Sequence, residues 1–266
     1  MSVAFSFGSY YPGSGPLYRL DPRTKLLAGF VLLGCALASR SFAALGVIAA
    51  FVAVLYAMSR IPIGRALRSL APLMVLALFV AVLNLFTGEG GRMLVEFGPL
   101  RITEGGVHGF LFMGARMTLM MCGMSLVTMT TMTLDLTHAV ERLLAPLSRL
   151  GFPSHELGMM LGIALRFMPQ FATELQTTYR AQVSRGARVG SGPAGAVRML
   201  ASVSVPLFAS VFRHAETLAQ AMDARCYHGE QGRTRLRELR FRACDGVAAA
   251  VMVLLAVLVV YVGALA

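Results

Sequence analysis

The sequence predicts an all-α, polytopic membrane protein with about five transmembrane helices and three amphipathic helices on the cytosolic side. Three observations carry this. Hydrophobic residues make up 56% of the 266-residue chain and charged residues 14%, with a mean hydropathy of +0.68, a balance too apolar for an ordinary soluble domain. Apolar runs near the length needed to cross a ~30 Å hydrocarbon core fall at about 25–39, 42–58, 69–87, 107–132 and 244–264. The 24 basic residues, all arginine except Lys25, outnumber 13 acidic ones and lie mainly between those runs, where the positive-inside rule puts them.

The first two runs are short and separated only by Ser39-Arg40-Ser41, which reads as a tight hairpin or as one long bent helix. Arg19, Arg23 and Lys25 precede the first run, and Arg60, Arg65 and Arg68 join the second to the third. Many more arginines follow the fourth, so all three regions are expected in the cytosol. Loop 88–106 has net charge −1 and the C-terminal tail none, which suits the outside. Residues 1–24 lack the apolar core of a secretory signal, so the N-terminus is expected to stay cytosolic and the C-terminus outside. The chain divides into a four-span membrane domain at 1–133, a cytosolic domain at 134–243 and a final transmembrane helix at 244–266.

Segment 134–243 holds two further apolar stretches, 157–172 and 197–212. Charge argues against spans there. Crossing at 157–175 would place Arg180, Arg185 and Arg188, with no acidic residue among them, outside. Periodicity points the same way: Leu157, Leu161, Ala164, Met168, Phe171 and Leu175 recur at helical spacing, as do Leu200, Val203, Leu207, Val211, Leu218 and Met222. Both are amphipathic helices, kinked at Pro169 and Pro206 and joined through a turn at Ser191-Gly192-Pro193. A shorter amphipathic piece at 135–149 precedes them, with Asp135 at its N-terminal end complementing the helix dipole. Each long helix ends in an arginine triplet, Ser184-Arg185-Gly186 and Ala224-Arg225-Cys226. A charged group at a helix tip transports nothing itself, but a soluble partner that moves can grip it.

Several function classes drop out. The basic surplus follows topology, so no nucleic-acid partner is expected. No Gly-x-x-x-x-Gly-Lys-Ser/Thr loop is present to bind ATP. His108, His138, His155, His214 and His228 form no His-x-x-x-His pair; His138 and Glu141 share a helical face, as solvated pairs often do. Cys35, Cys122, Cys226 and Cys244 show no ligand spacing, and neither metal nor disulfide is expected. A self-sufficient secondary transporter would carry charged or broken spans in related halves, and a membrane enzyme would cluster His, Asp or Glu near an interface. Apart from Arg116, inside the fourth run, the spans lack such residues. An ionisable group there is a candidate functional residue or half of a buried pair, with Asn84 as one possible partner. Seven methionines at 113, 117, 120, 121, 124, 129 and 132 suit an adaptable docking surface or core filling equally. Gly158 and Gly162 would allow close helix approach.

Leu20-Asp21-Pro22-Arg23-Thr24-Lys25-Leu26, Thr130-Thr131 with Asp135-Leu136, Arg166-Phe167-Met168-Pro169, Gln182-Val183-Ser184-Arg185-Gly186 and Ala221-Met222-Asp223-Ala224-Arg225-Cys226 together resemble the transmembrane coupling subunit (T component) of energy-coupling-factor transporters, over nearly the whole chain. Ser184 stands where that family usually has Ala, and Cys226 where it has Gly; the arginine is kept in both. The resemblance implies a prokaryotic plasma-membrane complex importing a vitamin or transition-metal ion. Its partners would be a membrane substrate-binding subunit (S component) and two ABC-type ATPases. The chain itself would be non-enzymatic and hold no cofactor, ATP and Mg residing on the ATPases. Arg185 and Arg225, flanked by Ser184, Gly186, Ala224 and Cys226, would then couple to the ATPases. Leu161, Met168, Pro169, Leu207 and Val211 would face the substrate-binding subunit.

Overall fold

The computed structural model of the chain describes residues 10–13, 15–87, 90, 93–97, 100–146, 151, 153–187, 193–229, 241 and 243–265. Among the described residues, a 3-10 turn at Pro16–Arg19 is followed by eight α-helices: α1 Pro22–Ala38, α2 Phe42–Ser59, α3 Ile63–Thr87, α4 Glu104–Thr130, α5 Thr133–Leu144, α6 Ser154–Ser184, α7 Pro193–Asp223 and α8 Ala243–Leu265. Loop 88–106 adds an antiparallel hairpin the sequence reading lacks, β1 Met93–Phe97 and β2 Leu100–Thr103. Two compact units emerge: described residues within Gly8–Val140 and Glu238–Ala266 form one, those within Glu141–Arg237 the other.

In the first unit α4 packs against α1, α2 and α3, and α8 against α1 and α2. Leu32, Cys35, Ile48, Val52, Leu126, Met129, Met252 and Val259 lie in its buried core. Glycines set the close approaches. A Cβ on Gly123 would collide with the Leu32 side chain and one on Gly106 with the Leu85 carbonyl, so α4 sits nearer its neighbours than any side chain allows. Six of the seven methionines are buried or half-buried and only Met132 is exposed, so this group serves mainly as packing. Outward faces of α3 (Val75, Leu76, Phe79) and α8 (Leu254, Val257, Val260) are apolar and exposed, as surfaces turned to lipid must be.

The α1–α2 connection is a hairpin: Ser39 ends α1, and the Ser41 side chain accepts the Ala44 N–H to cap α2. With 17 residues, α1 is about 25 Å long at 1.5 Å per residue, short of the ~30 Å hydrocarbon core. Its end therefore meets α4 part-way along. Arg116, about 18 Å beyond the start of α4, donates through Nη2 to the Ser39 carbonyl, one of the acceptors a helix C-terminus leaves open. Its guanidinium lies 4.6 Å from the Phe112 ring centre, and Phe112 packs with Phe42 and His108. Asn84 is not the partner; its Nδ2 donates to Val80 in its own helix.

Among the described residues, five helices are long and apolar enough to cross a membrane: Phe42–Ser59, Leu70–Thr87, Glu104–Thr130, Ala194–Asp223 and Ala243–Ala264. Four match expected spans. The fifth lies in α7, expected to be cytosolic, while α1, the expected first span, is too short to join them. Most charges of α7 fall in its last third, at Arg213, Glu216 and Asp223, which leaves the preceding turns apolar. It belongs with α6 to the second unit.

Candidate functional site

Both arginine triplets form the same helix ending. At the end of α6 the Gly186 N–H donates to the Val183 carbonyl and the Ala187 N–H to that of Gln182, both at 3.0 Å. At the end of α7 the Cys226 N–H donates to Asp223 at 2.9 Å and the Tyr227 N–H to Met222 at 3.1 Å. Each pair is a Schellman motif, whose C′ residue must take left-handed backbone angles. Gly186 has φ +87° and Cys226 φ +52°. Cys226 thus makes a turn that glycine takes without strain, at the roughly 1–2 kcal/mol a Cβ costs in that region. Arg185 and Arg225 occupy the C-cap position of their motifs, and both are exposed. Ser184 leaves the tip unaltered, because its hydroxyl donates back to the Arg180 carbonyl.

The two tips point away from each other along an antiparallel pair. Across α6 and α7, Glu174 accepts from Ser210 and lies 3.5 Å from His214 Nε2. Gln170 Nε2 is 3.4 Å from the same nitrogen, and Tyr227, just past α7, donates to Met159 Sδ at 2.9 Å. As residue numbers fall on one helix they rise on the other. Arg225 therefore lies near the first turns of α6 and Arg185 at that helix's far end, roughly 40 Å away at 1.5 Å per residue. Of the expected stripe on α7, Val203 is buried and Leu207, Val211, Leu218 and Met222 are half-buried, whereas Leu200 is exposed.

Residues assigned to a partner surface divide accordingly. Leu161, Met168 and Pro169 are exposed on α6, whereas Leu207 and Val211 are half-buried. The open apolar face of α7 is instead Val197, Leu200, Phe208 and Phe212, between 61% and 71% exposed. Sequence reasoning put Leu200 in the neighbouring stripe and missed Val197, Phe208 and Phe212. The signal of this face was the Phe208/Phe212 pair at i, i+4, which the longer aliphatic stripe beside it obscured. Gly158 is a close approach, since a Cβ there would strike the Glu141 side chain of α5, while Gly162 has open space. Glu141 pairs with His155 Nδ1 at 3.5 Å. Among the described residues no three His, Cys, Asp or Glu side chains gather as a metal site. The expected turn residues Ser191 and Gly192, with Arg188, lie outside the described residues.

The N-terminal signature acts as a fastening where three helices meet. Asp21 caps α1 by accepting the Arg23 N–H at 3.0 Å, with Pro22 at the first helical position. Its own N–H donates to Asp245 of α8 at 2.8 Å. Lys25, buried one turn later, donates from Nζ to the Thr130 carbonyl that ends α4, at 3.0 Å. A cation at a helix C-terminus also meets the negative end of its dipole. Asp245, which sequence reasoning passed over, is 3% exposed.

Residues 13–236 match the family described as cobalt transport protein, CbiQ. The energy-coupling factor transporter transmembrane protein EcfT of Thermosediminibacter oceani is 40% identical over 241 residues, 90% of this chain and 91% of the relative. The protein of the same name from Brevibacillus brevis is 38% identical over 257 residues, 96% of each, and that of Thermanaerovibrio acidaminovorans 40% over 257 residues, 95% and 94%. With a family match over residues 13–236 and relatives 38–40% identical along nearly the full length, the chain belongs to the CbiQ/EcfT family of energy-coupling-factor transporter membrane components.

Proposed function

We propose that this membrane component transmits the motion of two ABC-type ATPases to a membrane substrate-binding subunit during import of a vitamin or transition-metal ion. One observation carries the reading. Two identically capped helix ends each expose an arginine, at opposite extremes of one antiparallel pair. Guanidinium offers five fixed donors and stays charged, so it suits a cytosolic groove lined by carboxylates or helix-end carbonyls. ATPases that close on ATP and open on hydrolysis would shift one tip against the other, and α6 and α7 would carry that shift as levers. The apolar faces at Leu161, Met168 and Pro169, and at Phe208 and Phe212, would grip the substrate-binding subunit. Both helices would lie on the cytosolic side of the bilayer despite the apolarity of α7.

The test is the double variant Arg185→Ala, Arg225→Ala. Losing one charge-assisted anchor and stranding its acceptor costs roughly 2–5 kcal/mol for a buried pair. One substitution is expected to impair transport, and both to release the ATPases or uncouple hydrolysis from uptake. Lysine at either position restores function in part, since ammonium keeps the charge and loses the planar fork. Alanine at the exposed Arg180 and Arg213 is the control and leaves transport near normal. A double variant that assembles fully and imports at the normal rate overturns the assignment.

A further inference from the structure

The first unit contains a cavity of about 730 Å³, half open, between the 3-10 turn, α1, α2, α4 and α8. Its lining is sorted by depth. Arg19, Thr24, Lys25 and Thr130 line the end where α1 begins, α4 stops and α8 starts, while Leu32, Phe51, Val251 and Met252 line the interior. From Pro22 to Leu32 is about 15 Å along α1, the depth of one leaflet of a ~30 Å core. Two cations and no carboxylate face the cavity. Lys25 is committed to the Thr130 carbonyl and has Asp21, Asp135 and Asp245 acting on its charge. Arg19 is exposed at the rim. Thr24 is buried, and its hydroxyl has no hydrogen-bond partner among the described residues. A buried hydroxyl beside an apolar cleft lacks an acceptor or donor that the protein does not supply.

We infer that this cavity is a binding site for one anionic phospholipid of the bilayer, with its acyl chain against Phe51, Val251 and Met252 and its phosphate at Arg19 and Thr24. An apolar body with polar groups at one end matches an amphiphile whose head stays at the interface, and Arg19 supplies the sign that selects an anionic head. A single cation near the membrane surface contributes ~1 kcal/mol toward anionic lipid, about a fivefold preference. No residue of the unit that carries Arg185 and Arg225 lines the cavity, so the inference is independent of the proposed ATPase coupling.

The experiment places the full chain, with whatever subunits co-purify, in nanodiscs doped with phosphatidylglycerol or phosphatidylcholine bearing a photoreactive diazirine on the acyl chain. Adducts are mapped by peptide mass spectrometry. The expected result is adducts concentrated at Phe51, Met58, Val251 and Met252, about fivefold more from phosphatidylglycerol. That preference disappears in Arg19→Gln and returns in Arg19→Lys, while Ala28→Phe, which fills the cavity, removes adducts from both lipids. Arg19 is exposed, so Arg19→Gln leaves folding intact and the wild-type map stands without any variant. Adducts spread evenly over the outer faces of α3 and α8, equal labelling by the two lipids, an unchanged preference in Arg19→Gln, or a cavity closed to the probe by a co-purifying subunit would each overturn the inference.

Discussion

Exchanging the residues that end α6 and α7 separates backbone geometry from side-chain contact. Gly186 sits at φ +87°, and nothing lies within 4 Å of where its Cβ would be. Gly186→Ala thus meets no steric obstacle, and its cost is the left-handed backbone alone, roughly 1–2 kcal/mol. Cys226 already bears that cost at φ +52°, so Cys226→Gly is expected to recover a similar amount. Converted to equilibria, one to two kcal/mol is about a 5–30-fold change in the population of the opened cap. Hydrogen exchange reads it directly. The Gly186 and Ala187 amides should exchange about 5–30-fold faster in Gly186→Ala, and those of Cys226 and Tyr227 slower by a like factor in Cys226→Gly, provided local opening governs both. Unchanged exchange at Gly186 and Ala187 in the alanine variant would show that the left-handed residue does not hold the arginine tip, and the Schellman account of the triplet would be withdrawn.

The remaining predictions concern packing, the helix junction and topology. Gly158→Ala should destabilise the α5–α6 contact by about 1–3 kcal/mol through overpacking against Glu141, while Gly162→Ala, with open space, should stabilise α6 by about 0.5–1 kcal/mol; equal thermal shifts in detergent would refute the difference. Lys25→Met removes a charged donor from the Thr130 carbonyl, an expected loss of about 1.5–3 kcal/mol, read as a lower Tm of the whole chain. An unaltered Tm would mean that the junction of α1, α4 and α8 does not depend on that bond. Accessibility reporters at about 95 should face outside and those at about 190 and 235 the cytosol, because the arginines between α6 and α7 resist translocation. A reporter at 190 on the outside would make α6 and α7 membrane spans.

Helix positions were legible in the sequence because lipid-facing and amphipathic helices each leave a one-dimensional signature, an unbroken apolar run or a 3.6-residue stripe. The arginine triplets and an aliphatic stripe along α7 were readable for the same reason. The left-handed turn after Arg185 falls on glycine, the residue that takes it without strain. What the sequence could not show was which distant groups meet. Arg116 needs a partner, but that the partner is the Ser39 carbonyl follows from α1 ending part-way along α4, a matter of relative lengths in space. Nothing in the sequence marks Asp245 as the acceptor to which the fold brings the Asp21 N–H. Exposure of Phe208 and Phe212, and burial of Val203 beside them, depend on which face of α7 its antiparallel partner covers. Periodicity identifies two faces of a helix, and only tertiary packing decides which one the protein keeps for itself.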